Sequence, residues 1–384
     1  MPRPDGARPA DGDIGESTMA TRFAPVGPPL APMLARLVEA IPDDPAFLFE
    51  PKWDGFRAIV FRRGDALLIQ SRDERPLDRY FPELHDALLA RLPPRCVVDG
   101  EIVIATPTGL DFDALQLRIH PAASRVAALA EATPASFVAF DLLAIGGRDW
   151  RARPMSERRA ELERALGGAR APLHVTPMTR DPAVARRWFA QFEGAGLDGV
   201  VAKPAAAPYQ PGKRVMLKIK HQRTADCVVG GFRWHRADRR AIGSLLLGLY
   251  DDSGTLRHVG VTSSFTMATR RALVDELLPL RTRTAPFTVG GVSRWSAGRD
   301  LSWVPLRPER VCEVKYDHLQ GRRFRHATIF LRWRPDKRPG DCRYDQLDVA
   351  APYEILRVFE PERRSRAAGT PRRAAGSRAP RARS

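Results

Sequence analysis

The chain has 384 residues, of which 43% are hydrophobic, and a formal net charge of +17, enough length for two domains with sizeable cores. No run approaches the roughly 18 consecutive apolar residues of a membrane span, so a membrane-embedded protein is not expected. Four scattered cysteines (Cys96, Cys227, Cys312 and Cys342) form no Cys-x-x-Cys pair, which argues against a zinc site or disulfide framework and predicts free thiols in a reducing, cytoplasmic compartment.

In chain order, residues 1–24 are rich in Pro, Gly, Asp and Ala, lack the apolar core of a secretory signal, and read as a disordered leader. Residues 25–222 read as a first domain in which short apolar strands alternate with amphipathic helices. Strands are predicted at 46–49 and 58–61 with Asp54-Gly55 turning between them, then at 66–71, 96–105 and 137–145. Helices are predicted at 84–92 and 156–166. Asp181-Pro182 supplies an N-cap and a proline at the first helical position for a helix through Phe192, stopped by Gly194 and Gly196. A boundary near 221–224 opens a second domain, 223–350. It has strands 244–250 and 255–262 around an Asp-Asp-Ser-Gly turn, one helix at 267–280, and strands 311–316 and 327–333. Several strands and one helix in this length suit a small Greek-key barrel of the OB type, so the fold class is α+β. Residues 351–384 read as a basic tail, disordered from about 363. The last 22 residues carry eight arginines and no acid, leaving +9 on the rest. A basic body and a basic tail both point to nucleic acid, because phosphate neutralisation supplies most non-specific affinity.

The most informative run is Glu50-Pro51-Lys52-Trp53-Asp54-Gly55-Phe56-Arg57. A lysine with the ordinary pKa of about 10.4 is a poor nucleophile, and cations, a metal and partial burial would have to activate Lys52 to attack phosphorus. Arg57 could supply positive field and a clamp on the phosphate. Glu101, leaving an Asp-Gly turn into an apolar strand, is suited to Mg²⁺ or to ribose hydroxyls. Alternation puts Lys218 and Lys220 on one strand face and Ile219 on the other, so two ammonium groups can converge on one phosphate. Taken singly, each has a plainer reading: a surface lysine on a hairpin, an outward Glu101, an amphipathic edge strand.

The order of these elements is more telling. The spacing Lys-x-Asp-Gly-x-Arg resembles the nucleophile motif of nucleotidyltransferases that carry a nucleoside monophosphate on lysine: DNA ligases, RNA ligases and capping enzymes. Further elements follow in the order of the ATP-dependent DNA ligases. Ser71-Arg72 resembles a motif whose arginine contacts the nucleotide or the nick phosphate. Val97-Val98-Asp99-Gly100-Glu101 resembles the motif that holds metal or ribose. Phe137-Val138-Ala139-Phe140-Asp141 is similar to the element that stacks an aromatic, here Phe140, on adenine. Leu197-Asp198-Gly199-Val200-Val201-Ala202-Lys203 resembles the next motif, with Asp198 where glutamate is commoner, so a water-mediated metal contact is expected there; Lys203 would lie near the nucleotide. Lys218-Ile219-Lys220 matches a Lys-x-Lys motif, with Met216 in place of the frequent tryptophan. Arg334-Pro335-Asp336-Lys337 resembles the closing Arg-x-Asp-Lys element. Glu313 to Asp317 and Arg322 to His326 look closest to stand-alone bacterial C-type ligases and the ligase module of the D type.

The resemblance implies an adenylation domain with antiparallel sheets and flanking helices, followed by an OB barrel. It implies ATP as co-substrate, Mg²⁺ or Mn²⁺ held near Glu101 and Asp198, and nucleotide contacts from Glu50, Lys52, Arg57, Arg72, Glu101, Phe140, Lys203, Lys218 and Lys220. Arg334 and Lys337 would be presented to pyrophosphate by a swing of the outer domain. The implied partner is nicked double-stranded DNA, with a bacterial Ku-type protein as a candidate recruiter, and the expected state is a monomer. An RNA ligase or capping-type enzyme is the alternative; a non-catalytic DNA-binding relative would be expected to lack Lys52 or Glu101, and both are present.

Overall fold

The computed structural model describes residues 22–23, 25–107, 109–120, 122–289, 301–317, 319–347 and 353–359. Nearly all of the leader, and the tail beyond 359, lie outside the described residues. Among those described, no helix is long and apolar enough to cross a membrane.

The first unit contains strands β1 (Leu34–Val38), β2 (Phe47–Pro51), β3 (Phe56–Arg63) and β4 (Ala66–Ser71), then helix α1 (Pro82–Arg91). Strands β5 (Arg95–Val103) and β6 (Ser136–Ile145), helix α2 (Met155–Leu166), β7 (Leu173–Val175), helix α3 (Pro182–Phe192), β8 (Gly199–Pro204) and β9 (Arg214–Lys220) follow. They build two sheets, ordered β1-β9-β8-β2 and β7-β6-β5-β3-β4. Most pairs are antiparallel; β1 with β9 and β7 with β6 are parallel. Period-two alternation sorts the side chains. Ile59, Phe61, Val97 and Leu143 pack between the sheets against Met216 and Val201. On the outer face of the second sheet lie Leu84 and Leu88 of α1 and Leu162 and Leu166 of α2. Helix α3 covers the outer face of the first sheet with Ala185 and Phe189. Its start follows the sequence signal, since the Asp181 carboxylate accepts from Ala183 N at 2.8 Å and Pro182 stands at the first helical position.

The second unit contains β10 (Arg223–Trp234), β11 (Ile242–Tyr250), β12 (Leu256–Thr262), helix α4 (Met267–Leu277), β13 (Val304–Tyr316) and β14 (Ile329–Trp333). The sheet order is β12-β11-β10-β13-β14. A parallel bridge from Thr262 to Thr328 links its edges, with Thr262 Oγ1 donating to the Thr328 carbonyl at 2.9 Å. This is the five-stranded, partly open barrel of the OB type. Helix α4 is shorter than the sequence suggested: Pro279 cannot donate a backbone hydrogen bond, and Leu278–Leu280 form a 3₁₀ turn instead.

Three further local expectations are corrected. Asp54-Gly55 is no hairpin turn, because β2 and β3 belong to different sheets. Asp99-Gly100-Glu101 lies inside β5 and not after a turn. The beginning of the segment assigned to the tail forms a short helix, α5 (Ile355–Phe359), which returns to the first unit: Phe359 stacks on Trp53 at 5.1 Å and on His174 at 4.0 Å, and Ile355 and Val358 are buried with Phe192 and Leu197.

Candidate active site

Lys52 sits where the chain leaves one sheet for the other. Its N–H donates to the Gly199 carbonyl at 2.8 Å and its carbonyl accepts from Asp198 N–H at 2.9 Å, so the backbone itself sets Lys52 beside Asp198. Glycine is required on both sides of this contact. A Cβ at Gly199, whose φ is +130°, would lie 2.0 Å from the Ile219 carbonyl oxygen, and one at Gly55 would lie 2.1 Å from that of Ile102. The result is a 2.6 Å ion pair between Lys52 Nζ and Asp198 Oδ2, which also takes Lys220 Nζ at 3.2 Å. Burial opposes the charge on Asp198, but Lys52 and Lys220 hold its carboxyl below the usual range.

Lys52 opens into a cavity of about 390 Å³ between the two sheets, a size suited to a nucleotide-sized ligand. Of the expected residues, Glu50, Lys52, Arg57, Arg72, Glu101, Phe140, Lys203 and Lys218 line it. Arg57 and Glu101 pair across β3 and β5. The Arg57 guanidinium makes a two-pronged contact with Asp99, 2.7 and 2.6 Å, and Asp99 also accepts from Tyr209 Oη at 2.7 Å. Phe140 reaches the cavity through a bulge: Asp99 pairs with Asp141 and Gly100 with Ala139, leaving residue 140 unmatched. Its ring is flanked by Arg57 at 4.7 Å and Lys203 at 4.4 Å. Glu50 is buried and paired with Lys203 at 2.6 Å and Arg159 at 3.3 Å. Lys218 is held below the usual lysine pKa by burial and by the like charges of Lys52, Lys220 and Arg72.

Lys220 is beside the cavity and not on its lining. Burial opposes its charge, yet Asp198 and Asp317 more than offset this, the latter at 2.8 Å from the barrel unit. A second barrel residue, Arg325, ion-pairs with Asp54 and lies 3.5 Å over the Phe112 ring. Arg334 and Lys337 are not brought to the cavity: Arg334 binds Asp226 at 2.8 Å and Asp336 at 2.9 Å, and Lys337 lies 4.0 Å from Asp226.

Sequence reasoning missed Asp99, Tyr209, Arg159, Asp317 and Arg325, and the whole of β1, whose Leu34 to Leu37 form one wall. The Val97 to Val103 alternation did carry a signal for Asp99, which shares the parity of Glu101. No local pattern marks the others.

Among the described residues no group of three or more His, Cys, Asp or Glu is arranged to hold a metal ion. A magnesium ion bound through one carboxylate and substrate phosphates needs no such cage. Glu101 fits that use, since burial, opposed by Lys52 and Arg57, pushes its carboxyl up to about 7, and a cation would favour the charged form. Asp198 is already committed to two ammonium groups. The arrangement thus provides an amine beside a carboxylate, further cations for phosphate, an aromatic face and a buried acceptor for a base.

Comparison with known proteins agrees with this chemistry. Residues 29–220 match the family model described as the ATP dependent DNA ligase domain, and residues 238–337 match that of the ATP dependent DNA ligase C terminal region. The chain is 58% identical over 343 residues to DNA ligase C2 of Mycolicibacterium smegmatis, covering 84% of this chain and 96% of that protein. Against DNA ligase C of Mycobacterium tuberculosis it is 58% identical over 342 residues, covering 84% and 95%. A solved structure from work on the Lig E DNA ligases shares the fold, with TM-score 0.52, 17% identity, and coverage of 79% of this chain and 99% of that one.

Proposed function

The chain belongs to the ATP-dependent DNA ligases, and from that premise we propose that Lys52 is the residue that takes AMP from ATP and passes it to the 5′-phosphate of a nicked strand. Lys52 Nζ attacks the α-phosphorus; a nitrogen–phosphorus bond forms as the bond to pyrophosphate breaks. The ammonium must first lose a proton to solvent, which the like charges of Lys218 and Lys220 favour, while Asp198 at 2.6 Å orients Nζ. Lys218, Lys220 and Arg72 meet the phosphate charge, while Phe140 stacks on the base and Glu50 with Lys203 reads its edge. Arg57, held by Asp99, adds positive field beside Phe140. Glu101 would hold Mg²⁺ or Mn²⁺, which supplies charge neutralisation at the phosphates. The 5′-phosphate then takes the AMP, and the 3′-hydroxyl displaces it to close the break. The same reading takes the enzyme as a cytoplasmic monomer on nicked duplex DNA, with a Ku-type end-binding protein as recruiter.

The observation that carries this reading is that Lys52, paired with Asp198, lines a nucleotide-sized cavity together with further cations. Its test is incubation with ATP labelled at the α-phosphate. Wild type should become labelled through an acid-labile, base-stable bond, and Lys52→Ala should not. Labelling that persists in folded Lys52→Ala would move the nucleophile elsewhere. Parallel incubation with each labelled nucleoside triphosphate separates a DNA ligase from a capping-type enzyme.

A further inference from the structure

Behind the cavity, two consecutive arginines of α2 hold the two walls between which a base would lie. Arg158 grips Asp141, next to Phe140 in sequence, with contacts of 2.8 and 2.9 Å. Arg159, only 3% exposed, donates to Glu50 Oε1 at 3.3 Å, to the Thr176 carbonyl at 2.5 Å and to Glu163 at 2.7 Å. Thr176 Oγ1 in turn accepts from Trp53 Nε1 at 2.8 Å. The other oxygen of Glu50 faces Lys203 at 2.6 Å, and Lys203 also donates to the Phe140 carbonyl at 3.2 Å. Glu50 lines the cavity, whereas Arg159 is not among its lining residues.

We infer that Arg159 is a positioning residue for nucleobase selection: by tying down one oxygen of Glu50, it keeps that carboxylate facing the cavity as an acceptor. A carboxylate offers only lone pairs. A base with an exocyclic amine at that edge donates to it, while a base carrying a carbonyl there sets acceptor against acceptor, and a buried site built for the first rejects the second. Lys203 alone cannot fix the carboxylate, because it is shared with the Phe140 carbonyl. Without Arg159, Glu50 is drawn toward Lys203 and the acceptor edge turns away.

The inference rests on the reading of Glu50 given above, and the test separates the two. Self-adenylylation is measured with ATP and with GTP in wild type, Glu50→Gln, Arg159→Met, Arg159→Lys and the Glu50→Gln, Arg159→Met double variant. Loss of a hydrogen bond to a charged group corresponds to about 10- to 100-fold. Arg159→Met should therefore raise KM for ATP by about that factor with a smaller change in kcat, and reduce the ATP-to-GTP preference. The lysine variant, able to reach Glu50 or Thr176 but not both, should fall between, and the double variant should discriminate no worse than the poorer single one. Wild-type preference in Arg159→Met that unfolds cooperatively like wild type, with preference lost in Glu50→Gln, overturns the role of Arg159 alone. If Arg159→Met does not fold, an unchanged preference in folded Arg159→Lys overturns it. Unchanged preference in Glu50→Gln removes the Glu50 reading itself, and the inference with it.

Discussion

At the residue scale, the site is governed by carboxylates that pair with its cations. Asp198 fixes Lys52 through a 2.6 Å contact, and Asp198→Asn replaces that ion pair by a neutral amide. A misplacement of about 1 Å at a reacting group can cost about 100-fold, so this variant should adenylylate itself about 10- to 100-fold more slowly in single-turnover assays; a rate within twofold of wild type would show that Asp198 does not position the nucleophile. Tyr209 is the quieter case. Its hydroxyl donates to Asp99 and accepts from Met33 N–H at 3.0 Å. Tyr209→Phe leaves that buried N–H unpaired and should lower stability by about 1–3 kcal/mol in denaturant unfolding. Adenylylation should change far less, because Arg57 keeps both its contacts with Asp99.

At the scale of elements, the crossing from β2 to β3 and the docking of α5 decide the surroundings of Lys52. Gly199→Ala would force a Cβ onto the Ile219 carbonyl at a positive φ, displacing β8 from β9 and with it Asp198 from Lys52. Such a variant should be strongly destabilised in thermal unfolding. Helix α5 brings a pH dependence. Phe359 lies over His174, and burial lowers the pKa of that imidazole to about 4 from an ordinary value of about 6.5. The undocked state therefore binds the proton more readily, so docking is fully favoured above pH of about 6.5 and weakens as the pH falls toward 4, by up to about tenfold per unit. Amide protection factors in residues 355–359, taken against the intrinsic exchange rate at each pH, should fall on acidification in wild type, and His174→Phe should flatten that response.

At the scale of the whole molecule, the barrel touches the catalytic unit through Asp317 on Lys220 and Arg325 on Asp54, while Arg334 and Lys337 are held by Asp226, away from the cavity. A residue group confined to the barrel reaches a triphosphate only when the barrel turns toward it. The double change Arg334→Ala, Lys337→Ala should abolish labelling by ATP yet leave sealing of a nick whose 5′-end already carries AMP; parallel loss of both, in folded protein, would assign these residues to strand joining as well. Asp317→Ala, Arg325→Ala removes these two half-buried contacts, leaving the Arg223–Glu193 pair beside the connection between the units, and should enlarge the radius of gyration in X-ray scattering.

The sequence alone determined what recurs locally along the chain. Alternation placed Lys218 and Lys220 on one face, the capping pair Asp181-Pro182 started α3, and the run around Lys52 identified the chemistry, because these depend on the side chains and on a strand or helix period of a few residues. Tertiary structure decided which partner each charge receives. Arg57 finds Asp99 across two strands, Glu50 finds Arg159 from a helix more than a hundred residues on, and Lys220 finds Asp317 from another unit. The bulge that delivers Phe140, the wall formed by β1 and the return of α5 to Trp53 belong with these. Each depends on strand register, sheet order or the docking of distant segments, and short-range periodicity carries no information about any of them.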